Sequence, residues 1–144
     1  MKKFSTAQAG LVLRIVLGIT MLSAVADRFG LWGAPGSTGV AWGNWENFVA
    51  YTYTLNAFAG KSIAGILAVL ATFFEILFGI LLIIGFKTRL AALGTCALML
   101  LFTITMALSV YFKAPLDYSV LTSAAAAFVL STIDRTIYAI DNKQ

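Results

Sequence analysis

The sequence predicts an all-α membrane protein, a four-transmembrane-helix bundle with an interfacial helix in a long first periplasmic loop. Two observations predict this fold class. Of the 144 residues, 60% are hydrophobic and 11% are charged, whereas soluble domains carry about 25% charged residues. The chain also contains four apolar segments with very few charges. Such a chain cannot cover a water-facing surface, so we expect residues 1–144 to form a single transmembrane domain.

The expected membrane spans are residues 4–28, 62–86, 90–112 and 118–138. About 20 mostly apolar residues are needed to cross the hydrocarbon core, because a helix rises 1.5 Å per residue. The first and second spans each hold one charge within the apolar run, Arg14 and Glu75, and the third span holds none. The fourth apolar run is shorter and reaches Asp134, so we expect its end to lie at the interface.

Lysine and arginine are unevenly distributed between the two ends of the expected bundle. The end with both termini and the turn at 87–89 carries six basic residues, and the opposite end carries three. Because cytoplasmic loops are enriched in lysine and arginine, we expect both termini on the cytoplasmic side of a bacterial inner membrane. The basic residues are scattered among membrane segments, so the net charge of +4 does not indicate a nucleic-acid partner.

The loop at residues 29–61 contains all three tryptophans, Trp32, Trp42 and Trp45. Apolar residues from Ala41 to Ala59 recur at spacings of three and four, which predicts an amphipathic helix. Tryptophan and tyrosine favour the membrane–water interface, and we therefore interpret residues 29–61 as an aromatic lid on the periplasmic leaflet. Three roles are open for its aromatic side chains. They form a belt that anchors the bundle at the interface, the roof of a pocket for a flat ligand such as a quinone headgroup, or a surface that binds a partner protein.

Arg14 and Glu75 are the two charges expected at bilayer depth, where a charge costs a few kcal/mol and normally has a partner. Arg14 lies ten residues into the first span and Glu75 eleven residues before the end of the second, about 15 Å from the same membrane face. Small residues flank each charge at a spacing of four, namely Gly10, Gly18, Ala71 and Gly79. We therefore expect an intramembrane Arg14–Glu75 ion pair that fixes helix register. The alternative is that Glu75 handles protons or that Arg14 polarises a bound carbonyl.

Asp27 and Arg28 end the first span and allow two interpretations. They form a solvated pair at the interface, or they join Trp32, Trp42 and Trp45 in the rim of a ligand pocket beneath the lid.

The chain has no histidine and one cysteine, Cys96. Its composition excludes a histidine general base, a histidine-ligated zinc or haem, and a disulfide within the chain. We expect no metal site. The sequence identifies no catalytic residue and no redox centre within the chain.

Two stretches resemble a known family. Residues 13–18 read LRIVLG, and residues 74–89 read FEILFGILLIIGFKTR. These stretches resemble the DoxX family of small four-helix bacterial membrane proteins. The shared pattern is an arginine followed by a glycine, and later a glutamate followed by glycines and a Thr-Arg turn. The resemblance extends over essentially the whole chain, and Arg14 and Glu75 match family positions. The family often has Gly-x-x-Lys near the end of helix one, where this chain has Asp27-Arg28.

The resemblance implies an inner-membrane subunit or accessory component of a quinone-linked redox system, since some relatives are described as subunits of quinone-linked oxidoreductases. Quinone would then be the cofactor, a redox enzyme the partner and the lipid bilayer the environment. The chain would be at most an oxidoreductase subunit. Two alternatives stay open, a non-catalytic membrane scaffold for partner proteins and a small-molecule carrier. Each is compatible with a homo-oligomer.

Overall fold

The computed structural model describes residues 5–143, and the regular secondary structure of these residues is helical, with no strand. The helices are α1 (Thr6–Arg28), α2 (Trp45–Leu55), α3 (Lys61–Ile84), α4 (Thr88–Ser109), α5 (Ala114–Asp117) and α6 (Val120–Ser131). Short 3₁₀ turns lie at Ala57–Ala59 and Ile140–Lys143.

Helices α1, α3 and α4 are long and apolar enough to cross a membrane. They contain 23, 24 and 22 residues, so each is about 33–36 Å long, against a hydrocarbon core of about 30 Å. Local chemistry sets their ends. Ser5 and Gln8 form a reciprocal capping box at the start of α1, and Gly85 ends α3 in the left-handed conformation at φ 68°, which glycine adopts without steric cost.

The fourth apolar segment is not a single helix over residues 118–138. Ser119 has a left-handed conformation (φ 57°) and separates α5 from α6. Helix α6 has 12 residues, about 18 Å, which is shorter than the hydrocarbon core. At its end, the hydroxyls of Ser131 and Thr132 donate to the carbonyls of Phe128 and Val129. These hydroxyl hydrogen bonds compete with the backbone hydrogen bonds that would continue the helix. Among the described residues, three helices are therefore of spanning length, and α6 is a shorter fourth helix.

The helices pack in two pairs, α1 against α3 and α4 against α6, and α3 joins the pairs by contacting α4. Small residues allow α1 and α3 to approach closely. A Cβ added to Gly18 would lie 2.9 Å from the carbonyl oxygen of Gly79. This is the close backbone contact that small residues permit between membrane helices, and it fixes the register of α1 along α3.

The lid contains the amphipathic helix that the sequence predicts, with bounds Trp45–Leu55. The Asn44 side chain accepts from the Asn47 backbone N–H and begins the helix. Helix α2 buries Phe48, Thr52 and Leu55 and packs mainly against α3. Its position at a membrane interface stays a prediction.

Candidate functional site

The last turn of α1 places Arg28 in a buried charged site against α3. Its Nη1 donates to Thr72 Oγ1 at 2.8 Å and forms an ion pair with Glu75 Oε2. Thr72 and Glu75 lie three residues apart and therefore share a face of α3. Arg28 is 2% exposed and Glu75 is 3% exposed. Because both charges are removed from solvent, each depends on the other for compensation.

The aromatic lid covers this ion pair. The Arg28 guanidinium carbon lies 3.8 Å from the centroid of the Phe48 ring and 5.4 Å from that of Trp42. The two rings meet edge to face at 5.1 Å. A guanidinium over aromatic faces is stabilised by the ring quadrupoles, more strongly when it is desolvated. The charge of Arg28 therefore holds the lid against α1 and α3.

The predicted ion pair between Arg14 and Glu75 is wrong. Arg14 lies beside Gly85, just past the end of α3, where a Cβ added to Gly85 would collide with the Arg14 guanidinium. Glu75 lies ten residues earlier in the chain, about 15 Å or three turns along the helix. The depths of Arg14 and Glu75 were counted from the ends of the apolar runs, which assumes that these ends are level. Helices α1 and α3 are instead offset along each other, so this count gave the wrong register between them.

Arg14 instead binds the segment that follows α6. Its Nη1 donates to Thr136 Oγ1 at 3.0 Å, and its Nη2 donates to the Tyr138 carbonyl at 3.0 Å. Arg14 is 1% exposed. A buried guanidinium offers five N–H donors, and a segment with irregular backbone supplies the carbonyl oxygens that a helix would keep for itself. Arg14 therefore fastens residues 136–138 to α1.

Asp27 is buried and organises the lid backbone. Its Oδ2 accepts the N–H groups of Ala41 and Trp42, both at 3.0 Å, whereas its buried Oδ1 has no hydrogen-bond partner among residues 5–143. Asp27 is 6% exposed, and its neighbour Arg28 is buried as well. The interpretation of these two residues as a solvated interfacial pair is therefore wrong.

A shallow groove of about 330 Å³ lies between α1 and the lid. Its lining residues are Thr20, Ser23, Ala24, Asp27, Trp32, Gly39, Ala41 and Trp42. The Trp32 indole N–H donates to the Ser23 carbonyl at 3.0 Å, which holds one wall in place. From Thr20 to Asp27 the groove follows one face of α1 for about 10 Å.

Three of the five residues predicted for a pocket rim, Asp27, Trp32 and Trp42, line this groove. Arg28 lies beneath the lid in its ion pair, and Trp45 stacks on Phe29 with ring centroids 5.9 Å apart.

Three further residues contact the buried arginines and were not among the predicted site residues. Thr72 and Phe48 contact Arg28, and Thr136 contacts Arg14. The spacing of Thr72 and Glu75 was the available signal, because a hydroxyl one turn from a buried carboxylate can share its cation. No comparable signal in the sequence marks Thr136.

The Asp141 carboxylate caps the start of α4 at the other end of the bundle. It accepts the backbone N–H groups of Lys87 and Thr88 at 2.7 and 2.8 Å. Partial burial acts to raise the pKa of Asp141, but the hydrogen bonds from Thr88 and Lys87 and the charge of Arg14 outweigh it, so this pKa lies below its usual value. A carboxylate at a helix N-terminus also interacts favourably with the helix dipole.

The family model of DoxX matches residues 9–108, a range that includes most of α1, the lid, α3 and most of α4. No curated protein and no solved structure matches the chain.

Proposed function

The chain belongs to the DoxX family, and from this premise we propose that it is a membrane-embedded subunit or accessory component of a quinone-linked redox system. A quinone headgroup would bind in the groove between α1 and the aromatic lid. The observation that carries the proposal is the buried Asp27 Oδ1, an acceptor without a partner among residues 5–143, in the lining of that groove.

The shape and lining of the groove suit a flat ring with polar substituents. Trp32 and Trp42 supply aromatic walls, and Thr20, Ser23 and Asp27 supply polar groups. Its volume of about 330 Å³ falls at the lower end of the roughly 300–1,000 Å³ typical of small-molecule sites. Because the groove follows a face of the membrane helix α1, a ligand with a long apolar tail could reach it from the lipid side.

The unpaired oxygen of Asp27 is the polar group that a ligand would satisfy. A buried acceptor without a hydrogen bond costs about 1–3 kcal/mol, and a hydroxyl donor from the ligand would remove that cost. A bound quinone supplies the two-electron redox chemistry, and its reduced form carries such a hydroxyl. Asp27 Oδ1 is closed to solvent in the structure, so the ligand would displace a neighbouring group to bring the proton-bearing oxygen of its ring against it. Oδ2 would stay engaged with the lid backbone.

The Arg28–Glu75 pair supports this groove without lining it. Arg28 attracts the ring of Trp42, and Trp42 forms part of the groove. In this proposal Arg28 and Glu75 are positioning residues that hold the aromatic wall.

Binding of decylubiquinol and decylubiquinone to the detergent-solubilised protein tests the proposal. We expect wild type to bind the quinol, and Asp27→Asn to weaken that binding about tenfold, since one charge-assisted hydrogen bond changes. The matched control is Asp117→Asn, because Asp117 lies on α5 outside the groove. Equal quinol affinities of wild type and Asp27→Asn, or no binding at all, would contradict the quinone site.

Mild-detergent purification separates the proposed function from the scaffold alternative. Stoichiometric quinone in lipid extracts of the purified protein supports the quinone-linked function. A ligand-free chain that co-purifies with a redox enzyme supports a scaffold instead.

A further inference from the structure

A second and larger groove lies at the opposite end of the bundle, where α4 begins and α6 ends. Its volume is about 560 Å³. Its lining includes Arg89, Leu93, Phe128, Thr132, Asp134 and Asp141. The groove proposed for the quinone shares none of these residues.

Both helices change from polar to apolar along this groove in the same direction. On α4, Arg89 is followed four residues later by Leu93, and on α6 Phe128 precedes Thr132 by four residues. Residues four apart lie on one face of a helix, about one turn from each other. Leu93 is 40% exposed and Phe128 is 57% exposed. The groove is therefore polar at the end of the bundle and apolar one turn deeper. A lipid has the same order, with a polar headgroup followed by apolar acyl chains.

The polar end offers one cation and one anion that the protein leaves free. Arg89 and Asp134 are both exposed, and neither belongs to an ion pair within residues 5–143. The third charge in the lining, Asp141, is engaged by the backbone of Lys87 and Thr88. A headgroup with both a phosphate and an ammonium group complements this arrangement.

We propose that this groove binds a phosphatidylethanolamine molecule. Arg89 would donate to the lipid phosphate, and a guanidinium suits phosphate oxygens because it can form paired hydrogen bonds. Asp134 would accept from the primary ammonium group, which has three N–H donors. Leu93 and Phe128 would contact the start of the acyl chains. A choline headgroup lacks the N–H donors, and a glycerol headgroup lacks the cation, so both complement the site less well.

Native mass spectrometry of the full chain with dioleoyl phosphatidylethanolamine, phosphatidylglycerol and phosphatidylcholine in equal amounts tests the proposal. We expect wild type to retain phosphatidylethanolamine preferentially. Arg89→Gln should lower its retention about tenfold, and Asp134→Asn should abolish the preference over the other two lipids. Both side chains are exposed, so we expect the variants to keep the wild-type melting temperature.

Arg135→Gln is the matched control, because Arg135 is exposed and adjacent to Asp134 in sequence but does not line the groove. We expect it to behave as wild type. Equal retention of the three lipids, or an equal loss in Arg135→Gln and Arg89→Gln, would overturn the proposal in favour of unspecific attraction to basic residues. Competition by soluble phosphoethanolamine at lipid-like concentrations would overturn it in favour of a water-soluble ligand.

Discussion

Arg28 has partners that all depend on its positive charge, namely Glu75, Thr72 and the rings of the lid. We expect Arg28→Ala and Glu75→Ala each to lower the free energy of unfolding by about 3–5 kcal/mol, because each leaves a buried charge without its partner. Titration of the detergent-solubilised protein with sodium dodecyl sulfate would measure this loss.

The double variant Arg28→Met/Glu75→Leu separates the ion pair from mere side-chain volume. We expect it to recover most of the lost stability, because apolar residues of similar size carry no desolvation cost. The exposed pair Lys113–Asp117 is the control, and its loss should have little effect. Wild-type stability in both single alanine variants would show that the buried pair is unimportant for the fold.

Gly85 is the residue at which close contact and backbone conformation coincide. It has φ 68°, and an added Cβ would lie 2.7 Å from the Cα of Ala139 and would collide with Arg14. We expect Gly85→Ala to destabilise the protein by at least about 2 kcal/mol, measured by the same titration. Gly65→Ala is the matched control, since an added Cβ there meets nothing within 4 Å and alanine favours helices.

The sequence identifies Arg14 and Glu75 as unusual charges, because ionisable groups are rare in apolar runs. It does not reveal their partners, because the ends of an apolar run define helix depth only to within several turns. The close contact of Gly18 with Gly79 sets the actual register. With these two glycines opposite each other in antiparallel helices, Glu75 lies about eight residues from the level of Arg14 and about six from that of Arg28. The register therefore favours Arg28 as the partner of Glu75, and the long Arg28 side chain covers the remaining distance.

At the scale of elements, the start of α4 depends on a carboxylate far away in the sequence. The pKa of Asp141 is lowered in the folded chain, so its carboxylate stabilises the fold above the unfolded value of about 3.9. That stabilisation is lost as the pH falls through the lower pKa of the folded state. We expect the melting temperature of wild type to fall in this range, and Asp141→Asn to start lower and depend less on pH. An unchanged pH profile in Asp141→Asn would contradict the capping role.

The long helices were predictable because α1, α3 and α4 are apolar runs of spanning length. The short α6 was not, since the run from Tyr118 to Ile133 is free of charges and only somewhat shorter than the others. Two features that hydropathy does not record shorten the helix, one at its start and one at its end. Ser119 has a left-handed backbone, and the chain after Ser131 turns to reach Arg14 through Thr136.

At the scale of the whole molecule, the distribution of basic residues predicts which end of the bundle faces the cytoplasm. Single cysteines at the exposed positions Ser37 and Arg135, introduced into Cys96→Ser, test this orientation. A membrane-impermeant maleimide should label Ser37→Cys in spheroplasts and Arg135→Cys only after permeabilisation. Labelling in the reverse order would place the termini on the outer side and invert the positions of both grooves.

The two arginines of α1 also restrict how the molecule can move. Arg28 fastens the last turn of this helix to α3, and Arg14, near the middle of the helix, fastens it to residues 136–138. A carrier that alternates access must rock one group of helices against another, and rocking α1 against α3 would break a buried ion pair. Rocking α1 and α3 together against α4 and α6 would instead break the hydrogen bonds of Arg14 to residues 136–138, which follow α6. Either movement therefore breaks a contact of a buried arginine.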